Sequence, residues 1–213
     1  MSQEIQTLSL YRPVGLKELD LILQSDGRAF PPRLPEQPIF YPVLNFDYAA
    51  QIAGKWNPKD ERSDYAGFVT AFDVEKTYVD QFEVHTVGAS IHQELWIPAE
   101  ALNEFNAHII GRIQVREVFY GDRYQGMIHP CDDMNAKAQM IALFKLQNSE
   151  AFHSAIHQKR NALIANFKFW ILHVSPDDIF ETQKMDFLHD VTAAWKTVHP
   201  DFHLPGSELL DNA

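Results

Sequence analysis

Residues 88–98 read Gly88-Ala89-Ser90-Ile91-His92-Gln93-Glu94-Leu95-Trp96-Ile97-Pro98, and a single carboxylate heads the apolar run. Residues 94–97 have the make-up of a short strand, and Pro98, whose fixed φ suits the first turn of a helix, opens a helix over 99–108. A charged residue at the opening of an apolar strand is unusual, so Glu94 is the first candidate for a functional role. Upstream, 67–74 and 79–86 carry aromatic and β-branched residues at strand-like spacing and are expected to pair with each other. Downstream, 113–120 alternates as a final strand.

Working outward to the N-terminus, residues 7–13 alternate as a first strand, and Leu16, Leu19, Leu21, Ile22 and Leu23 form the apolar face of a short helix ending near Gly27. Next comes a stretch with Pro31, Pro32, Pro35, Pro38 and Pro42. Their fixed φ and missing N–H groups forbid a helix and disfavour a central strand, which predicts a rigid loop leading into a short edge strand over 39–44. Asn45 or Asp47 can cap a helix over 46–56, where Tyr48, Ala49, Ile52, Ala53 and Trp56 recur at helical spacing. Residues 1–122 thus read as one α+β domain. Beyond Gly126 the period changes, and Met140, Phe144, Ile156 and Phe167 form a stripe across one or two helices. Asp177 and Asp178, then 187–198, suggest further short helices. Residues 123–213 are therefore a helical C-terminal region, its apolar face packed on the first domain or across a homodimer.

Composition narrows the function. The chain has 213 residues, and its apolar fraction of 46% is ordinary for a protein with a packed core. Against 29 acidic side chains stand 18 basic ones, a net charge of −11 that makes sequence-independent nucleic-acid binding an unfavourable expectation. A single cysteine, Cys131, cannot close an internal disulfide, and the N-terminus lacks a basic patch followed by an apolar run. A reducing, cytoplasmic setting is the expectation. No run reaches the ~20 apolar residues of a membrane span.

Three short motifs, in order, resemble the ADP-ribosyltransferase superfamily over roughly residues 7–120. The first strand, Leu8-Ser9-Leu10-Tyr11-Arg12, ends in an arginine as in the Arg-type branch of that family. Phe40-Tyr41-Pro42 followed by Tyr48-Ala49-Ala50-Gln51-Ile52-Ala53 is similar to the aromatic motif and alanine-spaced helix of the His-Tyr-Glu branch, and no Ser-Thr-Ser motif is present. His92-Gln93-Glu94-Leu95-Trp96-Ile97-Pro98 has the form of the segment that carries the catalytic glutamate, with His92 two residues ahead of it where arginine-modifying members have Glu or Gln. The resemblance implies an ADP-ribosyltransferase-like split β-sheet domain that uses NAD as substrate. It further implies transfer of ADP-ribose to an unknown acceptor, or NAD hydrolysis. Arg12, Tyr41 and Glu94 would be the central residues, with Tyr48 on the NAD side and His92 on the acceptor side.

These residue types suit that chemistry. Breaking the nicotinamide–ribose bond builds positive charge on the ribose, which a carboxylate such as Glu94 stabilises more in the transition state than in the ground state. The guanidinium of Arg12 offers a planar fork to phosphate or ribose oxygens, and the ring of Tyr41 can stack on nicotinamide. Arg28 and Arg33 sit on the proline-rich loop, where they could cradle a pyrophosphate. A different class, a non-catalytic ligand- or protein-binding scaffold on the same fold, is distinguished by geometry: the enzyme reading requires Arg12, Tyr41 and Glu94 to share one cleft. Metal is not expected, because His153/His157 and His199/His203 are spaced by four without the glutamate of a His-Glu-x-x-His motif.

Overall fold

Alternating burial along residues 7–14 follows from the alternating sequence and makes the first strand, β1 (Thr7–Val14), with Leu10, Arg12 and Val14 buried on one face. The computed structural model describes residues 5–175 and 183–211. The chain divides into two units, Met1–Gly121 and Asp122–Ala213. The first is α+β, with small antiparallel sheets and short helices.

In that unit β1 pairs antiparallel with β3 (Ala66–Glu75), which pairs in turn with β7 (Ile109–Tyr120). The central strand β3 is buried on both faces through most of its length, because each face has a cover. On one side lies α2 (Phe46–Lys55), whose Tyr48, Ala49 and Ala53 pack with Val43 and Val69. Asn45 caps α2, its side chain accepting from the Asp47 and Tyr48 amides. The helix backbone comes so close to the sheet that a Cβ at Gly67 would lie 2.0 Å from the Ala53 carbonyl oxygen. The other face meets Phe30, Phe40 and Phe105, linked through Phe72 and one another at ring distances of 4.8–6.1 Å. There α1 (Leu16–Gln24) and α4 (Leu102–Ala107) contribute Leu19, Ile22, Leu23 and Leu102 to the buried core.

Residues 39–44, read in the sequence as an edge strand, are regular strand only at Ile39–Phe40. β2 (Ile39–Phe40) pairs with β6 (Ile97–Pro98), and Val43 bridges Tyr11 on one side and Glu94 on the other. Among the described residues the segment therefore keeps an edge strand at β2, which has a single partner, and has backbone neighbours on both sides only at Val43. Its prolines fit because they act only as acceptors: the Pro42 carbonyl receives the Leu95 amide at 2.9 Å and the Pro38 carbonyl the Ala99 amide at 2.8 Å. Likewise 94–97 is not one strand. β5 (Gln93–Leu95) and β6 flank Trp96, whose side chain turns outward between buried Leu95 and Ile97.

The pairing expected between 67–74 and 79–86 does not form. After β3 the chain turns into a short helix, α3 (Lys76–Val79), that buries Tyr78 and Val79. Then β4 (Val84–Thr86) pairs with β5, leaving the second edge of β3 to β7. Strand-like composition could not specify the partner.

The second unit is helical: α5 (Ala136–Phe144), α6 (Phe152–Gln158), α7 (Arg160–His173) and α8 (Lys184–Val198). Three helices, not one or two, thus occupy the stretch up to His173. The apolar stripe packs among these helices, with Phe187 of α8 5.3 Å from Phe144 and 6.4 Å from Phe152, ring to ring. A buried polar network ties the entry loop to α5 and α7. The Tyr124 hydroxyl donates to Asn166 Oδ1 at 2.6 Å, and Asn166 Nδ2 donates to the Gly126 carbonyl and Gln139 Oε1 at 2.9 and 2.8 Å. Asp177 and Asp178 lie outside the described residues. Among the described residues no helix is long and apolar enough to cross a membrane.

Candidate functional site

Beyond the Tyr11–Val43 bridge, β1 and residues 38–42 carry no further mutual backbone bonds. Arg12 is the next residue of β1, Tyr41 lies two positions before Val43, and Glu94 faces Val43 from β5. The pairing pattern itself draws the three together. With Pro13, Val43 and Ile52 they line one cleft of about 350 Å³.

Glu94 is held at both oxygens. The Tyr48 hydroxyl donates to Oε1 at 2.8 Å and the Trp96 indole N–H to Oε2 at 3.0 Å. Tyr48 arrives from α2, and its ring is fixed by packing on Val43, Ala49 and Val69 and by stacking on His92 at 4.3 Å. Burial, followed by the hydrogen bond and charge of Glu94, pushes the Tyr48 hydroxyl up to about 12, so it stays a neutral donor throughout the physiological range. Two donors on a partly exposed carboxylate orient it without neutralising it.

Arg12 is fixed as firmly. Nε and Nη2 donate to the two oxygens of Glu18, on α1, at 2.8 and 3.2 Å, and Nη1 donates to the Tyr41 carbonyl at 3.3 Å. Its guanidinium carbon lies 4.7 Å from the centroid of the Phe40 ring. Of the five N–H donors of a guanidinium, these bonds leave one on Nη1 and one on Nη2. Arg33 approaches the same glutamate, with Nη1 3.9 Å from Glu18 Oε1 and a side chain only 10% exposed. Burial and then the neighbouring Arg12 lower the Arg33 pKa, while Glu18 and Tyr41 act in the opposite direction. Two guanidiniums around one carboxylate leave this cluster net positive.

The remaining sequence candidates divide. Tyr48 joins the site by supporting Glu94 rather than by lining the cleft. His92 is packed into the same network: its Nδ1 accepts the Ala89 amide at 3.3 Å and its Nε2 meets Gln51 Oε1 at 3.0 Å, so both ring nitrogens are engaged. Arg28 is not brought to the cleft. It pairs at 3.6 Å with Asp26, whose carboxylate also bonds Arg112 of β7, on the other side of β3 from β1. The left-handed pair Asp26 and Gly27, at φ 62° and 68°, turns the chain that way. Sequence reasoning missed Glu18 and Trp96. The only signal for Glu18 is an acidic residue in the first turn of α1, six positions from Arg12.

A second opening of about 370 Å³ over the middle of the sheet is lined by Ser9, Tyr11, Asp73, Arg112 and Arg116 among others, and holds none of the candidates. Among the described residues no group of three or more His, Cys, Asp or Glu side chains is arranged to hold a metal ion. The sequence matches no protein-family model, and neither a curated protein nor a solved structure matches it significantly.

Proposed function

We propose that the cleft binds NAD and that the protein, on an ADP-ribosyltransferase-like split-sheet fold, transfers ADP-ribose to an acceptor or to water. The observation that carries this reading is the convergence of Arg12, Tyr41 and Glu94 on one cleft, from three separate segments. The splaying of β1 from residues 38–42 supports the fold assignment.

The cleft is also electrically graded. Its Arg12 end, backed by Arg33, is positive and suits the pyrophosphate, whereas Glu94 places a fixed negative charge where the ribose would turn cationic. A half-exposed Tyr41, edge-on to Trp96 at 6.1 Å, offers its face to a flat ring. Scission would send the glycosidic electron pair to the pyridinium nitrogen, so that nicotinamide leaves neutral, with Glu94 bonding the 2′-hydroxyl. Little covalent work falls to the protein, and most of the catalysis is positioning and electrostatics.

Calorimetric titration with NAD, run beside chromatographic detection of released nicotinamide at high enzyme concentration, tests the proposal. Saturable binding with nicotinamide release above the no-enzyme control is expected. Absence of both would remove the basis for the reading.

A further inference from the structure

On the hairpin of β4 and β5, His85 stands directly opposite Glu94 in register. Directly paired residues of antiparallel strands point to the same face, as do residues two apart on one strand. His85 and Glu94 accordingly share a face, and Trp96, just past the end of β5, joins them through its side-chain contacts. The imidazole of His85 stacks on the Trp96 indole at 4.1 Å and 20°, and that indole holds Glu94 Oε2 through its N–H at 3.0 Å. Carboxylate, indole and imidazole thus form one layer beside the cleft.

His85 differs from its neighbours in what its nitrogens do. Both nitrogens of His92 are engaged by Gln51 and Ala89, and His108 meets Glu75 at 3.0 Å. Among the described residues neither nitrogen of His85 has a hydrogen-bond partner, although its ring is held in place by the stack. An oriented, unengaged and partly exposed imidazole has a ring nitrogen available to take a proton from an acceptor. Glu94 is a poorer candidate for that task, since both its oxygens already accept protein hydrogen bonds and its charge is committed to the ribose.

We infer that His85 is the general base for the acceptor, which is therefore a hydroxyl group, an N–H group or water, and not a carboxylate, which has no proton to give up. This rests on the NAD reading of the cleft. As the bond from ribose C1′ to the pyridinium nitrogen breaks, a lone pair of the acceptor oxygen or nitrogen forms the new bond to C1′. The acceptor's proton passes to the imidazole and from there to solvent. His85 has a second task in the same geometry, to keep the Trp96 indole at the angle that serves Glu94.

Chemical rescue separates the two tasks. With water as acceptor, His85→Ala is expected to release nicotinamide about 100-fold or more slowly than the parent, in line with the usual contribution of a general base. NAD affinity by calorimetry should stay within about threefold, because His85 does not line the cleft. Added imidazole should restore the rate in proportion to its unprotonated fraction. A rate equal to the parent's overturns the inference alone, and so does a loss that imidazole leaves untouched, which would assign His85 to packing against Trp96. A parent that binds NAD yet hydrolyses none also overturns it, since a base in register with Glu94 would activate water. A parent that neither binds NAD nor releases nicotinamide removes the underlying site reading as well.

Discussion

Replacing Tyr48 by Phe removes one oxygen atom and tests whether Glu94 must be held. The ring keeps its packing on Val43, Ala49 and Val69 and its stack on His92, so the change is confined to the 2.8 Å bond to Glu94 Oε1. A hydrogen bond to a charged group contributes about 1.5–3 kcal/mol, but Glu94 is partly exposed and water can replace the lost donor. A stability loss of about 1 kcal/mol follows, which in a chain of this size lowers Tm by about 2–4 °C. The effect on turnover should be larger than on binding, because Trp96 alone would leave the carboxylate free to swing. A loss of about 1.4 kcal/mol in the transition state is tenfold in kcat, and NAD affinity should change less than threefold. Trp96→Phe should behave alike, and the double variant should lose more than the product of the single losses, since the two donors secure opposite oxygens of one group. The assay is nicotinamide release at saturating NAD across all four members of the cycle. Parent-like release by Tyr48→Phe, with the expected drop in Tm, would show that the bond serves the fold alone.

Three further expectations concern the supports of the site and of the helical unit. Arg12→Ala strips Glu18 of its two-pronged partner and leaves only Arg33 near it, so unfolding should cost about 2–3 kcal/mol less and NAD should bind at least tenfold more weakly. Arg12→Lys keeps the charge without the fork and should recover stability better than affinity; NAD binding equal to the parent's in both would exclude Arg12 from the ligand site. In the second unit His199 is buried with an unpartnered Nε2, and burial, with the charges of His157 and Arg160, lowers its pKa despite the backbone bonds at Ile156 and His157. The unfolded chain then takes up the proton first, so stability falls as pH drops below about 6.5 through the folded-state pKa. His199→Gln should make Tm less steep between pH 7 and pH 5 than in the parent, and identical slopes would refute this. Lys184, at the start of α8, donates to the Ile171 and Val174 carbonyls at the end of α7 at 3.0 and 2.6 Å. Lys184→Met should destabilise by about 2 kcal/mol in a denaturant titration, and an unchanged midpoint would show the bonds to be dispensable.

Much of the first unit was legible because its signals are local. Alternation placed β1 to within a residue, and the Asn45 cap with the Tyr48, Ala49, Ala53 spacing placed α2. The prolines of residues 31–42 were informative. They exclude a helix, and β2, paired with β6 alone, has the single neighbour of an edge strand; only Val43 bridges both Tyr11 and Glu94. Residues 79–86 show the limit of composition, since nothing local distinguishes pairing with β3 from pairing with β5. In the candidate site, the order of the motifs pointed to Arg12, Tyr41 and Glu94, which the fold brings to one cleft. Glu18, Trp96 and His85 were not singled out, because their contacts arise only from the strand–helix corner and the hairpin register. Trp96 in particular reads as one more apolar residue of a strand until Leu95 and Ile97 take the interior and turn it outward.

The central claim is that Glu94 acts through its charge in the transition state, and Glu94→Gln tests it most directly. The amide keeps the shape and an oxygen for the Tyr48 or Trp96 donor, so Tm and NAD affinity should stay close to those of the parent. Loss of the charge should slow nicotinamide release by about 3–4 kcal/mol, on the order of a hundred- to a thousandfold. Release at the parent rate by a folded, NAD-binding Glu94→Gln protein would contradict the account.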